Sequence, residues 1–315
     1  MENSTKQQIM AAVEQFLTTH GMTATDLAKR AGVNNTYLST MRQGQTQIGA
    51  GQGNMVDIAD RYYEMLAKYI DFKLTKTYWQ TVPTTQFKQI ISTLEDAREY
   101  GATNVVIGET GSGKTFVSKI FQRKYPMDCF VVKVGSSDNL GDLIEKICEA
   151  VGSVTIEKTK SKTLRAIVKR LQLLKMDGFK PTVIFDEAEY MKQPALCNLK
   201  ELYDALNGTC SLVLMGTEQL SRNIEKMRRK NRDGIPQLYR RIKFGYRPLN
   251  SIDRTYKLFF ATGVYSAEVM RFLRENCENY GELHDVLVPA LREADRSGQE
   301  LTVELIRTML NMPNI

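Results

Sequence analysis

Residues 104–115 read NVVIGETGSGKT, an apolar run followed by a glycine-rich turn that ends in Lys-Thr. The run has the length and β-branched content of a buried strand, and residues 115–125 carry apolar side chains at helical spacing. The glycines therefore fall between a strand and the start of a helix. Gly108, Gly113, Lys114 and Thr115 fill the four fixed places of the pattern Gly-x-x-x-x-Gly-Lys-[Ser/Thr]. Glycines let backbone amides converge on an anion, and the helix amino end adds partial positive charge. Lys114 then reaches the β and γ phosphates, and the Thr115 hydroxyl can ligate Mg²⁺. The expected ligand is ATP with Mg²⁺, held by Gly108, Glu109, Thr110, Gly111, Ser112, Gly113, Lys114, Thr115 and Phe116.

A carboxylate pair supports the same chemistry. Residues 183–189 read VIFDEAE, which predicts a central parallel strand with Asp186 at its carboxyl end facing the metal and Glu187 polarising the attacking water. Alone, an Asp-Glu pair reads as a helix amino end favoured by the macrodipole. Following a phosphate loop, it reads as catalytic.

A third apolar run, SLVLMGT (211–217), ends in Thr217, which is placed to orient water or touch the γ phosphate, or is simply a strand end. Next comes LYRRIKF (238–244) with adjacent Arg240 and Arg241. An arginine presented to a neighbouring subunit's nucleotide stabilises transition-state charge; spacing alone equally fits solvated surface arginines.

The order phosphate loop, Asp-Glu strand, polar-ended strand, arginines resembles the AAA+ ATPases. A small helix-turn-helix front domain, the wording VIFDEAEYM, the run LVLMGT and the LYRRI segment are similar to one branch of them, the phage Mu B family of ATPases that select target DNA for a transposase. That resemblance implies ATP-dependent assembly of a homo-oligomeric helical filament on double-stranded DNA with little sequence preference. It also implies delivery of that DNA to a transposase and disassembly on hydrolysis. Many AAA+ proteins place an arginine on a late helix at the γ phosphate, whereas the corresponding stretch here, GELHDVLVPAL (281–291), offers His284. A neutral imidazole is a poorer phosphate partner than a guanidinium, and the plainer expectation is a surface histidine.

The net charge of +7 lies in the middle of the chain: residues 101–245 hold 25 Lys and Arg against 16 Asp and Glu. Lys158, Lys160, Lys162 and Arg165, then Arg222, Lys226, Arg228, Arg229 and Lys230, form two clusters, predicted as polar, flexible stretches. Such clusters neutralise DNA backbone phosphates without reading bases. For residues 165–175 a solvated helix face is an equal alternative, because Leu164, Ile167, Val168, Leu171 and Leu174 form an opposing buried stripe.

The fold class expected is α/β: a P-loop AAA+ parallel-sheet core (87–245) with an amino-terminal helix-turn-helix domain (1–70), a linker (71–86) and a carboxyl-terminal helical domain (246–315). In the front domain, residues 23–44 predict a helix through Leu27 and Ala28, a turn at Gly32 and a second helix capped near Asn34. That second helix offers Asn35, Thr36, Ser39 and Thr40 to a DNA groove, but Arg42 is its sole cation, so DNA reading and partner docking both stay open. Residues 44–53 predict a loop, about 54–70 a helix, and Trp79 an anchor for the junction to the core. Residues 251–263, 266–277, 282–295 and 302–311 predict four amphipathic helices. Five cysteines at 129, 148, 197, 210 and 277 lack metal-ligand spacing and read as reduced, mostly buried thiols. No run is long enough to cross a membrane, and the amino end lacks the pattern of a secretion signal, so a cytoplasmic location is expected. Two other readings fit the same motifs: a helix-turn-helix transcription regulator switched by its ATPase, and a helicase-loading ATPase.

Overall fold

The structure is a computed structural model and describes residues 1, 3–49, 55–72, 78–152 and 154–312. The chain divides into two compact units: Met1–Thr77 with Tyr125–Met127, and Tyr78–Lys124 with Asp128–Ile315.

In the first unit, helix α1 (Asn3–His20) is followed by α2 (Ala24–Ala31) and α3 (Asn35–Arg42). The Thr23 side chain caps α2 by accepting from Asp26 N, Gly32 turns the chain at φ +70°, and Asn34 caps α3 by accepting from Thr36 N. These are the turn and cap expected from the sequence. Ile9, Val13, Leu27, Leu38, Met41, Tyr63 and Leu66 fill the core beneath them. Residues 55–58 differ from expectation. Strand β1 (Gln47–Gly49) pairs antiparallel with β2 (Met55–Asp57), and only then does α4 (Asp60–Tyr69) begin. Ile58 N donates to the Thr46 carbonyl at 2.8 Å and Gln47 Nε2 to Asp57 at 2.9 Å, so cross-strand partners replace a first helical turn. The predicted loop at 44–53 lies outside the described residues from 50 onward, as do 73–77 of the linker.

The second unit is built on a five-stranded parallel sheet in the order β4-β5-β6-β3-β7. Helix α5 (Thr85–Tyr100) leads into β3 (Thr103–Ile107), followed by α6 (Lys114–Lys124) and β4 (Cys129–Lys133). Helices α7 (Leu140–Val151) and α8 (Lys160–Met176) precede β5 (Thr182–Asp186), and α9 (Gln193–Leu206) precedes β6 (Ser211–Gly216). Helices α10 (Glu218–Arg229) and α11 (Ile235–Ile242) lead to β7 (Tyr246–Pro248). Helices α5 and α6 pack on one face; α7 to α11 share an apolar core with Val105, Phe130, Val183 and Leu212 on the other. Double coverage is why these strands are almost wholly apolar. The register sets Ile107 beside Gly216 and Lys133 beside Asp186, bringing the ends of four strands to one edge. In an open parallel sheet that carboxyl edge is where ligands bind.

The stretches expected to be flexible are ordered. Helix α8 starts inside the 158–163 segment because Thr159 caps it by accepting from Lys162 N. Arg222, Lys226, Arg228 and Arg229 lie in α10, which Thr217 caps, with Lys230 just after it.

Beyond β7 come α12 (Lys257–Phe260), α13 (Ala267–Asn276), α14 (Tyr280–Ser297) and α15 (Val303–Met309), packed around Tyr256, Phe272, Leu273, Leu283 and Leu287. Pro289 stands inside α14. The first predicted helix of this region shrinks to four residues. Asp253 accepts from both the amide and the hydroxyl of Thr255, and Tyr256 takes φ +51°, so a local turn wins over the helix.

Candidate nucleotide-binding site

A cavity of about 750 Å³ opens at the carboxyl edge of the sheet, within the range of small-molecule sites. Thr110 to Val117 line it, together with Asp186, Glu187, Glu189, Thr217, Phe259, Tyr280, His284 and Asp285. Gly111 and Gly113 adopt φ +72° and +91°, a left-handed backbone that glycine takes freely. Lys114 Nζ donates to the carbonyls of Gly108 and Glu109 at 2.9 Å each, which holds its ammonium across the curl of the loop. Burial pushes the Lys114 pKa down, opposed by the nearby Glu189, Asp186 and Glu109 carboxylates.

Thr115 Oγ1 donates to Asp186 Oδ2 at 2.6 Å. Asp186 is 2 % exposed, at the last position of β5. A hydroxyl and a carboxylate side by side suit a hard cation that takes its remaining ligands from phosphate and water, as Mg²⁺ does. Among the described residues no group of three or more His, Cys, Asp or Glu forms a cage of its own. The residues present thus fit Mg²⁺ brought in with a nucleotide.

Glu187 follows with φ +57°. This conformation turns the chain out of the sheet and into a short 3₁₀ turn over Ala188–Tyr190. Its carboxylate meets Lys133 Nζ at 2.9 Å. Thr217 reaches the same edge through β6, and its side chain accepts from Gln219 N at 3.3 Å.

Other expected residues lie elsewhere. The Glu109 side chain turns behind the loop to Arg254, and Gly108 packs against Leu249. Arg241 is tied to Asp204 at 2.6 and 3.0 Å and lies over the Tyr203 ring, whereas Arg240 is exposed with no ion pair among the described residues. Lys158, Lys160, Lys162 and Arg165 are exposed at the start of α8. The second cluster is partly neutralised: Arg228 and Arg229 both pair with Glu225, and Arg222 with Glu218. In the front unit Arg42 is bound to Glu14 at 2.5 and 2.9 Å.

The cavity also gathers residues that the sequence did not place together. Trp79 stacks on Phe259 at 4.7 Å between centroids and meets His284 edge-on at 5.1 Å. His284, exposed as a surface histidine would be, bonds Asp285 through Nδ1 at 2.9 Å and lines the cavity. Glu189 projects an oxygen that is buried and without a hydrogen-bond partner. The spacing Asp-Glu-Ala-Glu was the one available signal for it.

A phosphate loop, a buried carboxylate bonded to its threonine and a following glutamate at one edge of a parallel sheet are the layout of a P-loop nucleotide-binding core. Residues 98–224 match the family model described as the AAA domain. Two solved structures share the fold. Cdc6p from Pyrobaculum aerophilum aligns over 77% of this chain and 69% of its own, at 14% identity and a TM-score of 0.57. The ORC2 protein of Aeropyrum pernix, in ADPNP-ADP complexes, aligns over 78% and 71%, at 16% identity and a TM-score of 0.51. No curated protein matches the chain. Among the described residues no helix is long and apolar enough to cross a membrane.

Proposed function

We propose that the protein is an ATP-hydrolysing AAA+ ATPase that assembles with copies of itself on double-stranded DNA and hands that DNA to a transposase, as the phage Mu transposition protein B family does. The observation that carries the reading is the convergence of Lys114, the Thr115–Asp186 pair and Glu187 on one cavity.

In this reading the loop amides and Lys114 hold the β and γ phosphates. Thr115 and Asp186 hold Mg²⁺, which neutralises phosphate charge when bound. Glu187 orients a water for in-line attack on the γ phosphorus; the bond to the β–γ bridging oxygen breaks, and ADP and phosphate leave. Thr217, at the end of β6, steadies the water or the γ phosphate. Arg240, exposed and without an ion pair among the described residues, is the group available to a neighbouring subunit's nucleotide, while Arg241 is held by Asp204. The exposed cations at the start of α8 supply contacts to DNA phosphates, with Lys226 and Lys230 beside the paired arginines of α10.

Electron microscopy of the full chain with plain duplex tests the assembly, with and without a slowly hydrolysed ATP analogue. Filaments that need both DNA and nucleotide support it. A chain that stays monomeric with both present sinks it. Nucleotide-independent binding to one operator sequence marks the transcription-regulator reading instead, and stable capture of a helicase marks the loader reading.

A further inference from the structure

The phosphate loop is also gripped from behind. Arg254 donates from one terminal nitrogen to Glu109 Oε2 at 3.2 Å and from Nε to the Glu278 carbonyl at 2.9 Å. Glu109 is the second residue of the loop, and Glu278 directly precedes Asn279, the cap of α14. Glu109 Oε1 accepts from Ile252 N at 3.4 Å. Asn279 sits against the loop itself: a Cβ on Gly111 would lie 2.0 Å from Asn279 Oδ1. The Asn279 amide is fixed in turn, accepting from Glu282 N at 3.0 Å and donating to the Glu282 carboxylate at 2.7 Å. One turn further along the helix, His284 and Asp285 line the cavity.

We infer that Arg254 is a positioning residue that moors the amino end of α14 to the phosphate loop, so that the loop's ligand state sets where His284 and Asp285 stand over the nucleotide. Arg254 does not line the cavity, so it acts through Glu109 and Glu278. A planar guanidinium bonded to acceptors on two chain segments fixes their spacing in a way that a point charge cannot. Gly111, lacking a side chain, is what lets Asn279 approach. Asn279 meets the loop backbone while His284 lines the cavity, so the helix is tied to the loop itself. The inference rests on the nucleotide reading above.

Trp79, the sole tryptophan, stacks on Phe259 and touches His284, so its fluorescence reports this arrangement. The test titrates full-length wild type, Arg254→Ala, Glu109→Ala and the double variant with a slowly hydrolysed ATP analogue. Equilibrium dialysis measures binding, and Trp79 emission is followed in parallel. Wild type is expected to bind with a change in emission. Each single variant should bind about two- to fivefold more weakly, the scale of an exposed charge pair, and show a reduced emission change at saturation. The double variant should be no weaker than either single one. Arg254→Lys, which keeps the charge but not the fork, should fall between wild type and Arg254→Ala, and it replaces the latter if that variant does not fold. Variants that bind and respond like wild type overturn the inference alone, as do losses that multiply in the double variant. Failure of wild type to bind by dialysis overturns the nucleotide reading and this inference with it.

Discussion

Lys133 and Glu187 form an ion pair across the carboxyl edge of the sheet, Nζ to Oε1 at 2.9 Å, linking the end of β4 to the residue after β5. The hydrogen bond to Glu187 chiefly holds the Lys133 pKa above its ordinary value, so the cation persists through neutral and moderately alkaline pH. The pair holds the Glu187 carboxylate toward β4, and in the proposed mechanism that competes with orienting the attacking water. Lys133→Ala should therefore raise basal phosphate release by about two- to fivefold, the range for exposed pairs, with nucleotide affinity unchanged. Steady-state phosphate assays check this; a slower variant counts against it.

Lys114 and Glu187 separate binding from chemistry. Lys114→Ala should abolish nucleotide retention and, with it, assembly on DNA. Glu187→Gln should retain ATP but lose about 10²- to 10⁴-fold in turnover, persisting as a stalled polymer. Single-turnover assays with labelled ATP distinguish the two; normal DNA coating by Lys114→Ala would contradict nucleotide-gated assembly.

The depressed Lys114 pKa has a definite sign. In the folded chain Lys114 loses its proton below the ordinary value of 10.5. Between the two pKa values the unfolded chain binds more protons, so this group makes stability rise with pH over that window. Phosphate binding needs the charged form. ATP affinity should thus fall as pH climbs through the alkaline range below 10.5, and binding should take up a proton there. Calorimetry in buffers of different ionisation enthalpy measures the uptake, and a flat affinity profile would be the opposing result.

Arg240 and Arg241 should behave differently. Arg240→Ala should cut hydrolysis in assembled protein by about 10³-fold or more while leaving nucleotide binding by the isolated chain intact. Mixing it with Lys114→Ala protein should restore part of the activity, because each supplies what the other lacks. Arg241→Ala, which breaks the bond to Asp204 and the packing on Tyr203, should lower the melting temperature with little effect on hydrolysis per assembled site.

The two basic clusters rank in a definite order. Replacing Lys160, Lys162 and Arg165 by Ala should weaken binding to all duplex sequences alike and flatten the logarithmic salt dependence by about 0.9 for each DNA phosphate left without its cation. Replacing Arg228 and Arg229, which already share Glu225, should do less. Binding isotherms at several salt concentrations decide between them.

The phosphate loop and the carboxylate strand were legible in the sequence because their chemistry demands fixed residue types at fixed spacing, on strands whose double burial leaves an unbroken apolar run. Lys133 was not, since its nearness to Glu187 arises from the pairing of β4 with β5 and not from any local pattern. The aromatic wall of Trp79, Phe259 and Tyr280 draws on segments some two hundred residues apart. Cationic runs at 158–162 and 222–229 looked mobile by composition, yet Thr159 and Thr217 cap the helices that hold them. The pairing of β1 with β2 was missed because strands three residues long carry too little periodicity to outweigh the helical pattern that follows.

Pro289 has no amide hydrogen to offer the carbonyl of Asp285. One rung of α14 is therefore missing four residues past the cavity-lining pair His284 and Asp285, and a helix bends most cheaply at such a gap. Residues 280–288 before it carry that pair and pack through Leu283 and Leu287 into the same apolar core as Ala290. A substitution such as Pro289→Ala would restore the rung and is expected to stiffen the helix there.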